Sequence, residues 1–405
     1  MTRTWRRFTG VAAFAVFLGA GCSTGTSGVM SQTSMAPQPT SATKAADLRA
    51  GLNALLGEHI VLAASATQGA LAGREGQFKG AAAALDANSV DISKAIGAVY
   101  GPDAEKAFLP LWRKHIGFAV DYTTGVATKD KGKQDKAVTD LVQYTEDFGA
   151  FLNSANPSLP KATVAGLVKM HVLTLKDVID AQATGDQVKA FAATRVAYAH
   201  MPMIGDPLAG AIARQFASKF PGSTDAASGL RSTLTMALRE HVYLAARAAT
   251  AALGKRDSEF QAAAGALDAN SVDISKAMGS VYGPDAERAF LPLWRKHIGF
   301  VVDYTVGVAT QDKAKQDKAV ADLLQYTEDF GAFLSSANPN LPKAAVAELV
   351  KMHVLTLKPV IDAAAAGNAM KVYVELRAAM SHMDMIANPL AEGIVKQFPN
   401  RFAAR

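Results

Sequence analysis

The chain holds one cysteine, Cys22, in 405 residues. That excludes disulfides within it and thiolate metal centres elsewhere in it, since both need several sulfurs brought together. Charge of one sign is also scarce: 42 Lys and Arg stand against 36 Asp and Glu, and Arg3, Arg6 and Arg7 at the start supply half of the excess. So small a surplus leaves no footprint for a polyanion, and nucleic acid is not an expected partner. Strand signals are sparse, because Val and Ile are scattered among Ala, Leu, Lys and Gln while apolar residues recur at three and four. The expected fold is all-α. No glycine-rich phosphate loop, nucleophile elbow, cysteine pair or HExxH spacing is present to announce a familiar chemistry.

Long apolar runs are nearly absent too, the exception being Val11 to Leu18 behind the three arginines and ahead of Gly19-Ala20-Gly21-Cys22. Its length and flanks read as an export signal and not a membrane span. "LGAGC" resembles a bacterial lipoprotein signal, in which the cysteine becomes the lipidated first residue; Leu18 stands four residues before Cys22, where the usual pattern has three. The resemblance implies a signal over 1–21, lipidation at Cys22 and anchoring at the bacterial cell envelope. The stretch 22–46 is rich in Ser, Thr, Gly and Pro and has little to bury, so it reads as a flexible tether.

Beyond the tether the chain repeats itself. "ALDANSVDISKA" at Ala84 returns at Ala266, and "AFLPLWRKHIGF" at Ala107 returns at Ala289, both with the same offset. The register holds without a gap from Leu48/Leu230 to Phe216/Phe398. Two tandem homologous helical domains are expected, at 47–219 and 230–405, joined by 220–229.

A weaker period lies inside each copy. His59, His115 and His171 are evenly spaced, and apolar residues precede each by seven, four and three positions: Leu52, Leu55 and Leu56; Phe108, Leu111 and Trp112; Val164, Leu167 and Val168. Those offsets share one helical face, so each histidine continues an apolar stripe. Further along the same units stand Asn88 and Asp91, then Tyr144 and Asp147, then His200 and Met203. Three helical hairpins per domain follow, six helices in all. The basic stretch "KDKGKQDK", Lys129 to Lys136, is interleaved with Asp130 and Asp135 and reads as a solvated loop between paired helices.

All eight histidines fall in this scheme: His59, His115, His171 and His200, and their counterparts His241, His297, His353 and His382. A single histidine on an apolar face is usually a core residue bonded to a carbonyl or carboxylate. Four in one domain raise another possibility, and topology decides it. If the hairpins close around an axis, His59, His115 and His171 present three imidazoles to one point, as three-histidine zinc sites do, with His200 or Met203 completing the set. If they stack as an open solenoid, equivalent histidines stand roughly 10 Å or more apart and cannot share an ion. In the second copy the ligands would be His241, His297, His353, His382 and Met385.

Copper or zinc suits imidazole and thioether, with haem the weaker candidate. Glu58, Asp121, Tyr144 and Asp147, matched by Glu240, Asp303, Tyr326 and Asp329, are candidates to take the second N–H of a metal-bound imidazole. For Glu58, adjacent to His59 on a helix, plain solvent exposure is the competing expectation. Pro202 within "AHMPM" is expected to kink or restart the helix carrying His200, whereas the copy reads "SHMDM" with Asp384.

The blocks "ALDANSVDISKAIGAVYG", "FLPLWRKHIGFAVDYT", "DFGAFLNSANPSLP", "HVLTLKDVIDAQATGD" and "AHMPM" together resemble a group of exported bacterial all-helical proteins. Some of those carry a copper-amine-oxidase-type N-terminal domain, which has no counterpart in these blocks, so its copper label transfers nothing. Three functions stay open: a membrane-tethered metal-binding protein, a metalloenzyme or haem binder using the same histidines, and an envelope interaction module whose histidines are structural.

Overall fold

The computed structural model describes residues 38–403, so Cys22, the signal and most of the tether stretch lie outside the described residues. Among the described residues there are helices and no strand. The first repeat comprises α1 (Lys44–Leu71), α2 (Glu75–Tyr100), α3 (Pro102–Ala127), α4 (Lys131–Ala155), α5 (Lys161–Ala183) and α6 (Gln187–Gln215). The second comprises α7 (Ala226–Leu253), α8 (Asp257–Tyr282), α9 (Pro284–Ala309), α10 (Lys313–Ala337), α11 (Lys343–Ala365) and α12 (Ala369–Gln397), followed by the short α13 (Pro399–Phe402). None of these helices is long and apolar enough to cross a membrane.

Local chemistry sets the helix ends. Asp130 accepts from the Lys133 amide at 2.9 Å and Asp186 from the Lys189 amide at 2.9 Å, so short acidic side chains satisfy amides that the first turn leaves free. Each hairpin of the first repeat turns on one left-handed residue: Gly73 (φ 64°), Lys129 (φ 56°) and Gly185 (φ 74°). Their even spacing writes the inner repeat into the backbone. Lys129 adopts that conformation at a cost of about 1 kcal/mol that glycine avoids. The basic stretch is therefore not a loop. Its turn is confined to Lys129 and Asp130, and Lys131 to Lys136 form the start of α4, held by Asp130 and by Lys131–Asp135 and Lys136–Asp140 pairs one turn apart.

Six helices of a repeat make a ring. Each packs on its neighbour in sequence, α6 returns to α1, and α1, α3 and α5 meet one another at the centre. The bundle is closed, and the solenoid alternative is ruled out. The second repeat has the same arrangement, with α7, α9 and α11 inside.

The two repeats form a single compact body. Helix α1 packs on α7, α2 on α12, and α6 on α8, an exchange of equivalent partners that amounts to an internal twofold axis. Ion pairs obey it: Arg377 reaches Glu58 and Asp91, both at 2.7 Å, while Arg195 reaches Glu240 at 3.0 Å and Asp273 at 2.8 Å. The packed chain also starts earlier than the expected boundary at 47. Thr40 and Ser41 bond to the Glu392 carboxylate on α12, and Thr43 caps α1. At the junction, the non-helical segment runs from Phe216 to Asp225, whose carboxylate caps α7.

Helix α6 continues through Pro202 without a restart. The contrast with Asp384 has a packing origin at the interface between repeats. Asp384 pairs with Arg239 at 2.6 Å. Arg239 occupies the position of Gly57, where any Cβ would lie 2.7 Å from the Tyr198 ring. The first repeat thus fills with Tyr198 the space that the second gives to a partly buried ion pair.

Candidate metal centre

His59 comes from α1, His115 from α3 and His171 from α5, the three central helices. Because the helices are evenly spaced in sequence and the ring closes, the three imidazoles converge on one point. His59 and His115 stand Nε2 to Nε2 at 3.3 Å, and one ligating nitrogen from each of the three lies within 4.8 Å of the others. His241, His297 and His353 repeat the arrangement, with 3.2 Å between the first two. Metal–nitrogen bonds of about 2.0–2.1 Å separate two ligands of a tetrahedral ion by roughly 3.4 Å. One pair in each triad already has that spacing, and the third nitrogen needs an inward shift of at most about 1.5 Å.

All six rings are buried. Burial disfavours the charged form, and neighbouring imidazoles add to the effect. His115 is pushed down to about 3 by burial and then by His171, against a small opposing pull from the Trp112 carbonyl. His171 is pushed down to about 4 by burial and then by His200. His59 lies well below the ordinary value for the same reasons, with His115 and His171 as its neighbours. His297, His353 and His241 match them in turn, at about 3, about 4 and well below. At neutral pH the rings are neutral, the form that binds metal.

An aromatic wall surrounds each triad. Trp112 lies 4.7 Å from His115 and 5.0 Å from His59, and Tyr144 lies over His115 at 5.0 Å between ring centres. The Tyr144 hydroxyl and Trp112 Nε1 are buried without hydrogen-bond partners, as are Tyr326 and Trp294 in the second repeat. Nδ1 of His59, His171 and His353 is likewise without a partner. Polar atoms left this way at one spot, in both copies, are what a site completed by an ion or small ligand would show.

Several expected site residues do not join the triads. His200 is buried near His171, but its Nε2–H donates to the Leu167 carbonyl at 3.1 Å; His382 does the same to Leu349. Met203 and Met385 are exposed, at 57% and 59%, and point away from the core. They are not ligands. Among the described residues no carboxylate supports the triads from outside either. Asp121 pairs with Lys133 and Asp303 with Lys315 at the surface. Asp147 bonds to Gln143 and faces Lys114, as Asp329 does with Gln325 and Lys296. Glu58 is neither an imidazole partner nor solvent-exposed: it is buried against Asn88 and Arg377, and Glu240 likewise against Asn270 and Arg195. Only Tyr144 and Tyr326 of the expected outer group touch the triads, and they do so by ring contact. Trp112 and Trp294 take the place expected of the acids; their position three residues before His115 and His297 was the signal.

No family model, curated protein or solved structure matches the chain. Its chemistry therefore rests on its own geometry: two sets of three neutral, buried, converging nitrogen donors with a largely apolar surround.

Proposed function

We propose that this is an envelope metal-binding protein, anchored through a lipid on Cys22, that holds one copper or zinc ion per repeat on His59, His115 and His171 and on His241, His297 and His353. The observation that carries the reading is the convergence of three imidazole nitrogens within 4.8 Å in each repeat, on three separate helices. Within this reading Cu(I) is favoured over Zn(II). Among the described residues no carboxylate faces either triad, and the solvation cost of burying an ion rises with the square of its charge. A single positive charge is thus far cheaper to hold on neutral ligands among Trp, Tyr and Phe. Support for the anchor is the arginine-led apolar run that ends in "LGAGC".

Elemental analysis after loading with Cu(I) under anaerobic conditions, and separately with Zn(II), tests the site. Two ions per chain are expected, one after His115→Ala or His297→Ala, and none in the double variant. Retention of both ions by the double variant overturns the assignment. For the anchor, incorporation of labelled fatty acid should vanish in Cys22→Ser, and its persistence would refute lipidation at that residue.

A further inference from the structure

The two triads sit in unequal surroundings. In the second repeat a cavity of about 200 Å³ runs from Thr233 and Ser280, both exposed, inward to His241, His297 and His353. The equivalent space in the first repeat is about 40 Å³. Every residue lining the smaller space except Leu55 has its counterpart in the wall of the larger one, which extends further, past Leu230, Tyr282 and Leu341. One exchange lies in the shared part of the wall: Leu55 lines the small cavity, and its counterpart Ala237, three carbons shorter, does not line the large one.

We propose that the second repeat carries a binding site for a compact, neutral, mainly apolar molecule of ring size, lying against the face of the His241–His297–His353 triad, and that Leu55 closes the corresponding site in the first. The lining dictates the class. Among the described residues no Lys, Arg, Asp or Glu faces the cavity, so a charged ligand would find no counter-charge there. Leu238, Ile274, Phe290 and Phe330 supply apolar and aromatic surface, while Trp294 and Tyr326 bring to the same wall two donors, Nε1 and the hydroxyl, that have no partner. An apolar cavity of about 150 Å³ stays dry and takes up benzene, and this one is larger.

The inference goes beyond metal binding and does not depend on it, because the site is defined by the protein's own walls. Benzene is the probe, used with the full-length metal-free protein and read by calorimetry. One benzene per chain is expected. Ala237→Leu should weaken it at least tenfold, and Leu55→Ala should create a second site, raising the stoichiometry to two. Should Ala237→Leu fail to fold, Ala237→Val, which adds two carbons, should give the same loss in smaller measure. Absence of benzene binding in the wild-type protein, or equal affinity in the folded Ala237 variant, overturns the proposal. Metal stoichiometry of the Ala237 variant is measured alongside and should stay at two, which keeps a failure here separate from a failure of the triads.

Discussion

The first and second repeats agree where three imidazoles meet and differ where those imidazoles are approached. Rings, spacing and depressed basicity are the same in both triads. Around them the substitutions run in opposite senses. Leu55 lines the space beside the first triad, whereas Ala237 does not line the larger space beside the second. On another side the first repeat has a cavity of about 110 Å³ lined by Ala119 and Thr124, where the second carries Val301 and Val306. The two repeats thus keep the same three histidines while differing in the space beside them.

The largest expected effect is one the repeats should share. Each central histidine has a folded value below its unfolded value near 6.5, so the unfolded chain takes up protons that the folded chain refuses. The metal-free protein is therefore fully stable above pH 6.5 and loses stability as pH falls from there toward 4 and then 3, the values of His171 and His353 and of His115 and His297. At pH 5 the loss is roughly 2 kcal/mol for each such histidine. Unfolding free energies from urea curves at pH 7 and pH 5 should differ by several kcal/mol in all, and His115→Leu and His297→Leu should shrink the difference equally. Unequal shrinkage would show that the triads are not electrostatic equals.

A second comparison should break sharply. Arg247 is buried in the second repeat, bonded to Glu259 at 2.6 Å and to Gln68, and Glu259 also takes Arg74 and Arg256. The first repeat has Ser65 and Gln77 in those places. Glu259→Ala strands buried guanidinium charge and should cost about 3–5 kcal/mol. Gln77→Ala removes one neutral bond to the Ser65 carbonyl and should cost about 1 kcal/mol. Denaturant unfolding of the two variants measures the ratio.

The cavity difference comes next. Leu55→Ala should destabilise by about 2 kcal/mol through lost burial and the space left behind. Ala237→Leu should stabilise by about 1–2 kcal/mol, since three carbons enter a space already present. Opposite signs at equivalent positions are the test, and a loss in both would mean that the second repeat has no room for a leucine there.

The central architecture was legible because the pattern was physical. Apolar residues seven, four and three before each histidine place it on the stripe of a central helix, and the repetition of that stripe three times is what a closed ring of hairpins needs. The turns at Gly73, Lys129 and Gly185 keep the same spacing. Met203 parts from His200 because the outer-helix segment does not face inward as a whole. Asn88, Tyr144 and His200 share one internal position and are buried, whereas Asp91, Asp147 and Met203 share the next and lie on the outside. Two aspartates at equivalent sites already marked that position as wet. The contact between repeats was harder to read, since Glu58 gives no sign of an arginine more than 300 residues away. One clue existed: Ile60 to Ala64 is apolar without interruption, which suits a helix covered on every side, as α1 is by its own ring and by α7.

The smallest prediction probes the twofold itself. Asp91 and Asp273 are the outer partners of Arg377 and Arg195, with side chains about half exposed, so water competes for both charges. Asp91→Asn and Asp273→Asn should each cost less than about 1 kcal/mol, and added salt should reduce both. Their value lies in being compared. Glu58 and Glu240 remain to hold the arginines in either variant, so any inequality between the two must arise from differences at the interface, chief among them Gly57 with Tyr198 on one side and Arg239 with Asp384 on the other. Equal small losses, read from paired urea curves at low and high salt, would mean that the charge network keeps its twofold symmetry even though the packing beside it does not.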